Sequence, residues 1–298
     1  VSNILEYSRF RFDLVFTQGA TLPYWMGSTF RGGIGQHLSS SVCLGLNCPY
    51  CKGAPCLFRD VYLPRRAKRG HAQPSKPVII IPPFFARKID LPAGGKLSVD
   101  VIMLGVYTKT FLQLLLGMIA FGQGGIGPDR HYGGNRFEVI SVKCLESGRY
   151  VMKDGMINSD NFMTKDIKDI PPLGGNQIIL SFKTPFTGPF MPTTTKSIIR
   201  LIRHRLILMV NEYGTGEFIP DVDATGEIEV REVRRHKLRR RSSRSEKEFF
   251  TGWTGSFSMT LSSFNEKARW FLAVASMLGM GPDSAFGAGF VDLLYPLA

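Results

Sequence analysis

Apolar and polar residues alternate through RFRFDLVF (Arg9–Phe16), the two-residue period of a strand with one buried face. The following LPYWMGSTFRGGIGQHLSSSV predicts a turn leading into a helix over Tyr24–Ser41, against the pull of three internal glycines. Beyond a cysteine-rich insert, VIIIPPF and LSVDVIMLGVYT read as strands, TFLQLLLGMIAF (Thr110–Phe121) as a helix and FEVISVKCL as a closing strand. The resulting order, β-α-β-β-α-β, is the ferredoxin-like arrangement that RNA-recognition modules also use.

The order returns in the second half. NQIILSFKTPF is a strand, TKSIIRLIRHRLILMVNEYG a helix, TGEIEVREV and EFFTGWTGSFSMTL two strands, KARWFLAVASMLG a helix and FVDLLYPL a last strand. Within the first of these helices Ile198, Leu201, Ile202 and Leu208 recur at helical spacing and are expected to face the core. Arg200, Arg203 and His204 lie off that stripe, with His204 expected to be solvated. The predicted architecture is α+β: two tandem ferredoxin-like domains, residues 1–155 and 175–298, divided within Ser147–Gly175, where DGMINSDN and DIPPLGG have linker composition.

Each half carries a glycine-rich loop before its last strand. GGIGPDRHYGG (Gly124–Gly134) lacks the glycine that a Rossmann fingerprint needs at Arg130 and does not end in the Gly-Lys-Ser/Thr of a P-loop. A helix precedes it and a strand follows, the reverse of the order that aims a helix N-terminus at phosphate. GMGPDSAFGAG (Gly279–Gly289) repeats it at an offset of 154, pairing Gly125 with Gly279, Gly127 with Gly281, Pro128 with Pro282, Asp129 with Asp283 and Gly133 with Gly287. Matched loops inside matched flanks predict an internal duplication.

Charge then points to a class of partner. The 298 residues suffice for two cores, and 44% hydrophobic content suits globular packing. Lys and Arg number 37 against 24 Asp and Glu, a net charge of +13 that predicts a polyanionic partner, nucleic acid ahead of an anionic membrane surface. No stretch pairs a basic face with a broad apolar one, which argues against the membrane. The chain begins with Val, and its first residues lack the apolar core of a signal peptide, so a cytoplasmic location is expected. The densest cationic run, Arg231–Lys247, contains Arg234, Arg235, Lys237, Arg239, Arg240 and Arg241 and is expected to be a solvated hairpin tip that meets an RNA backbone. Arg65–His71 (RRAKRGH) is a smaller run of the same kind.

Cys43, Cys48, Cys51 and Cys56 form C-x4-C-x2-C-x4-C, a density that suits one tetrahedral, structural zinc ion, with free cysteines as the alternative. The central CPYC resembles a glutaredoxin motif, but redox chemistry leaves the flanking pair unexplained, and a cytoplasmic setting disfavours disulfides. Cys144, inside a strand, is expected in the core.

The order of FRGGIGQHL, CLGLNCPYCKGAPC, GIGPDRHYGGNRFEV, LSFKTPF, GWTGSF and GMGPDSAFGAGFVDL resembles the Cas6 family of CRISPR RNA-processing endoribonucleases along most of the chain. The resemblance implies two ferredoxin-like halves and binding of CRISPR repeat RNA, by a monomer or homodimer and alongside other CRISPR effector subunits. It also implies cleavage without a catalytic metal, the RNA's own 2'-hydroxyl attacking the adjacent phosphate. It places the catalytic histidine in the first helix, at His37, with Tyr24 and Lys52 completing the set and His131 as the other histidine for the role. RNA contacts are implied at Arg31, Arg130, His131 and Arg136, and at Gly281, Gly287 and Gly289 of the C-terminal loop. For those glycines a tight helix-to-strand connection is the other reading. A non-catalytic RNA-binding subunit on the same duplicated fold is the competing function, and an unrelated zinc-containing nucleic-acid-binding protein explains the cysteines and charge but not the paired loops.

Overall fold

The computed structural model describes residues 3–42, 55–63, 67–68, 74–127, 134–215, 219, 222, 228–239, 249–260 and 264–295. The chain forms two compact units, one of Glu6–Lys165 and one of Asp166–Ala298 with Val1–Leu5.

The N-terminal unit runs β1 (Glu6–Phe16), β2 (Ala20–Leu22), α1 (Gly27–Val42), β3 (Val78–Ile81), β4 (Ile89–Leu91), β5 (Lys96–Leu104), α2 (Phe111–Gly124), β6 (Phe137–Cys144), β7 (Tyr150–Lys153), β8 (Met156–Ile157) and β9 (Lys165–Asp166). The main sheet is ordered β3-β5-β1-β6-β7-β8, with β9 on β1, while β2 and β4 pair separately. Alternation in β1 buries Phe10, Phe12, Leu14 and Phe16, while Arg11 on the other face forms a two-pronged ion pair with Asp100 of β5 at 2.7 and 3.0 Å. The buried face continues as an aromatic chain: Phe16 meets Phe137 at 5.8 Å, Phe137 meets Phe121 at 5.5 Å and Phe121 meets Phe30 of α1 at 5.5 Å between ring centroids. Such edge-on and tilted pairs add to the burial energy of the rings.

The glycines that lower the helical propensity of α1 are where it is approached most closely. A Cβ at Gly33 would stand 2.1 Å from the Phe121 ring, and one at Gly35 would stand 2.2 Å from Tyr62. The apolar stretch Gly105–Gly124 has the length and hydropathy of a membrane span, but most of it is buried within the fold, where Leu114, Leu115 and Met118 pack into the core.

The C-terminal unit runs β10 (Gln177–Phe182), β11 (Phe186–Thr187), α3 (Thr195–Tyr213), β12 (Ile228–Arg239), β13 (Phe249–Thr260), α4 (Glu266–Leu278) and β14 (Val291–Leu294). Its strands are ordered β11-β13-β10-β14, with β12 also on β13 and every pair antiparallel. Thr194 caps α3 in a reciprocal box with Ser197, each supplying a 3.2 Å bond, which satisfies donors that a helix start leaves unmade. The core stripe of α3 is Ile198, Ile199, Ile202, Leu206, Met209 and Val210, whereas Leu201 and Leu208, expected inside, are only half-buried at its edges. A helix turns 3.6 residues per cycle, so a stripe extended by one residue too many drifts onto the flank.

Both glycine loops close with the same hydrogen bond. Ile126 N–H donates to Asn135 O at 3.1 Å, and Met280 N–H donates to Gly289 O at 2.8 Å, both residues shifted by the offset of 154. The strands that follow start in step as well, at Phe137 and Val291. Gly125 and Gly279 leave their helices at φ of 78° and 67°, a left-handed exit that glycine makes without Cβ strain. At the far side of the latch Asn135 adopts φ 55° where Gly289 has 73°. The Asn135 amide holds the turn, donating to Ile126 O at 2.9 Å and accepting from Thr21 N–H at 3.2 Å.

Candidate nucleic-acid interface

Helix α1 carries His37 to the end of α2. The half-buried imidazole lies 6.3 Å from the Phe121 ring, and a Cβ at Gly124 would stand 2.6 Å from His37 Nε2. Gly124 opens the first glycine loop, so the absent side chain is the space the imidazole occupies. His37 is thereby fixed at the start of the loop whose sequence bears Arg130 and His131, which themselves lie outside the described residues. Arg136, where the loop enters β6, is exposed, and its carbonyl accepts from Thr17 N–H at 3.1 Å.

Tyr24, expected beside His37, stands apart from it. Tyr24 precedes α1, and the helical rise alone sets Gly27 about 15 Å from His37. Its carbonyl accepts from Phe85 N–H at 3.3 Å, at the opposite end of the helix. Lys52 lies outside the described residues.

Arg31, expected at RNA, points inward instead. It is 7% exposed, donates to Val78 O at 3.3 Å and Val61 O at 3.2 Å, and sits 5.1 Å from the centroid of the Tyr62 ring. A buried guanidinium must find acceptors, and here they join α1 to β3 and the Phe58–Tyr62 turn. Burial pushes the Tyr62 hydroxyl above its ordinary pKa, with Arg31 opposing.

The C-terminal loop glycines are also packing positions. Gly287 and Gly289 are buried, their N–H groups donating to Ser284 O and Pro185 O at 2.9 Å each. A Cβ at Gly289 would stand 1.8 Å from Met280 O, and one at Gly281 2.9 Å from the Phe186 ring. The N–H groups of Gly287 and Gly289 are thus taken up by the tight helix-to-strand connection itself.

The basic run is strand for much of its length, because β12 continues to Arg239 rather than ending before the arginines. Arg240 and Arg241 lie outside the described residues, as does the side chain of Arg239. A bulge between Arg231 and Arg234, with Glu232 at φ 53°, offsets the alternation. Beyond it, register places Arg235 opposite Trp253, Lys237 opposite Thr251 and Arg239 opposite Phe249 on one face. Arg235 lies 5.7 Å from the Trp253 ring centroid and Lys237 lies 4.4 Å from that of Phe249, so cations and aromatic faces interleave on an exposed ribbon. Arg234 and His236 occupy the other face, where His236 Nε2 is 2.7 Å from Thr254 Oγ1. Burial, reinforced by the Arg234 charge, holds the His236 pKa below the usual imidazole value. Leu238 is buried there because Gly252 leaves room for it against Pro185.

Of the four candidate zinc ligands, Cys43, Cys48 and Cys51 lie outside the described residues. Cys56 is half-exposed, and its N–H donates to Asp60 Oδ2 at 3.1 Å. Burial alone would raise the Asp60 carboxyl, but the Arg59 guanidinium and this N–H outweigh it and hold the pKa below the ordinary value. Cys144 is buried. Among the described residues no three metal-binding side chains converge.

Sequence reasoning missed Gly124 as the seat of His37, Asn135 as the latch of the first loop, and Trp253 and Phe249 as partners of the hairpin cations. The 154-residue offset could have found Asn135, since it stands where the second copy has Gly289.

Two α+β units with antiparallel sheets, each with a glycine-rich loop closed by the same latch bond, define a duplicated mixed-fold protein with a cationic β-ribbon. The chain matches the AF_1859 N-terminal domain over residues 5–162 and the AF_1859 C-terminal domain over residues 178–293, and it belongs to that family. A protein of Archaeoglobus fulgidus is 31% identical over 290 residues, covering 96% of this chain and 97% of its own length. Among solved structures, a Cas6 product complex superposes with a TM-score of 0.55 at 17% identity, covering 97% of this chain and 100% of that one. Thermus thermophilus Cas6 gives 0.54 at 15% identity, covering 99% of each chain. The fold is Cas6-like.

Proposed function

We propose that this protein binds CRISPR repeat RNA and cleaves it without a catalytic metal, and that each half is a ferredoxin-like unit. The observation that carries the reading is a Cas6-like fold along the whole chain with His37 held at the mouth of the first glycine loop. The strand orders β3-β5-β1-β6 and β12-β13-β10-β14 support the ferredoxin-like assignment, since in both halves the first and third strands of the βαββαβ motif lie side by side at the centre.

In the proposed reaction a base takes the proton of a ribose 2'-hydroxyl, and its oxygen attacks the adjacent phosphorus. The P–O5' bond breaks, leaving a 2',3'-cyclic phosphate and a 5'-hydroxyl protonated by an acid. Imidazole changes charge near neutral pH, which suits His37 to one of these proton transfers. Lys52 is proposed to complete the site, with His131 as the other histidine for the role, whereas Tyr24 stands at the opposite end of α1. A zinc ion on Cys43, Cys48, Cys51 and Cys56 would be structural, being fully ligated by thiolate.

His37→Ala tests the assignment. The variant is expected to bind repeat RNA as the wild type does and to cleave it at least roughly a hundredfold more slowly, the scale of a lost proton-transfer group. Full cleavage by His37→Ala moves the role to another residue.

A further inference from the structure

The segment between β11 and α3, Gly188-Pro189-Phe190-Met191-Pro192, forms one wall of an open groove of about 600 Å³, and the exposed flank of α3 forms the other. Phe190 is 80% exposed, more than any other large apolar side chain among the described residues. Its neighbours hold the segment in place. Pro189 and Pro192 restrict the backbone, Thr194 caps α3 at its end, and Trp253 Nε1 donates to Gly188 O at 3.1 Å at its start. Across the groove, Arg200 and His204 lie one helical turn apart on α3, both exposed. Among the described residues, no acidic side chain lines the groove.

An exposed, preorganised aromatic facing a cationic rim is suited to a ligand that has both a flat apolar face and negative charge. Single-stranded nucleic acid is such a ligand, because bases stack on aromatic rings while the backbone runs along cations. Groove volume agrees with occupancy by a group of nucleotide size. The Trp253 bond also ties the start of the segment to the strand whose ring lies against Arg235.

We infer that this groove is a nucleotide-binding subsite in which one unpaired base of single-stranded RNA stacks on Phe190 and an adjoining phosphate lies on Arg200. The inference rests on the RNA-binding reading and adds to it a site that takes a base, separate from the residues proposed for cleavage. His204 joins Arg200 as a second phosphate contact when protonated.

Fluorescence anisotropy with a single-stranded oligouridylate of about 12 nucleotides tests it, a length within the range that a single-strand binding module covers. Phe190→Ala is expected to weaken binding roughly five- to a hundredfold, the loss of one stacked base, and Phe190→Trp to keep the wild-type affinity. An abasic ribose-phosphate oligomer is expected to bind wild type and Phe190→Ala alike, and Arg200→Ala to lower the affinity for both oligomers. Binding of oligouridylate that Phe190→Ala leaves unchanged overturns this inference alone and assigns the groove to a protein segment. Absence of RNA binding by the wild type overturns both this inference and the RNA-binding reading.

Discussion

Gly33 shows how a residue that weakens its own helix can be required by the fold. Replacing glycine by alanine inside a helix ordinarily stabilises by roughly 0.5–1 kcal/mol, since the unfolded chain loses freedom. At Gly32, where a Cβ would meet nothing within 4 Å, that gain is expected. At Gly33 the Cβ would enter the buried ring of Phe121, and overpacking costs about 1–3 kcal/mol. Thermal unfolding should therefore move upward for Gly32→Ala and downward for Gly33→Ala; equal shifts would show that α1 and α2 do not pack as described. The glycines were legible in the sequence as a local liability. Their purpose was not, because Phe121 is remote in sequence and propensity is a local quantity.

The β12–β13 ribbon shows the same limit at the scale of an element. A run of arginines lacks the apolar alternation that marks a strand, so Arg231–Lys247 looked like a tip. Pairing with β13, whose Trp253 and Phe249 supply aromatic faces, carries the strand on to Arg239. The bulge at Glu232 was equally invisible, since it depends on the register of two strands rather than on either alone. If the ribbon lies along RNA, replacing Arg234, Arg235 and Lys237 by alanine should weaken binding and reduce the log-log salt slope by about 0.7 for each phosphate no longer neutralised. A slope that stays the same while the variant remains folded would place the RNA elsewhere.

Across the whole molecule, the duplication was the most legible feature, because paired glycines are needed wherever a helix turns back tightly into a strand. The offset of 154 recurs in the latch bonds Ile126–Asn135 and Met280–Gly289. Less of the site was legible. His37 was identifiable as a residue type in a helix, but its seat depends on Gly124 at the end of another helix. Arg31 in the same helix turns inward to carbonyls of Val61 and Val78, which no local pattern marks as its partners. The proposal that this Cas6-like fold cleaves RNA through the substrate's own 2'-hydroxyl stands or falls on one comparison. Wild-type protein, in EDTA, is incubated with repeat RNA and with the same RNA carrying one 2'-deoxy nucleotide at the scissile position. The unmodified RNA is expected to be cut to a 2',3'-cyclic phosphate and a 5'-hydroxyl, while the deoxy substrate is bound with nearly the same affinity and left intact. Cleavage of the deoxy substrate, or tight binding of the repeat with no cleavage of either RNA, would refute the proposal, the second outcome leaving an RNA-binding subunit without catalysis.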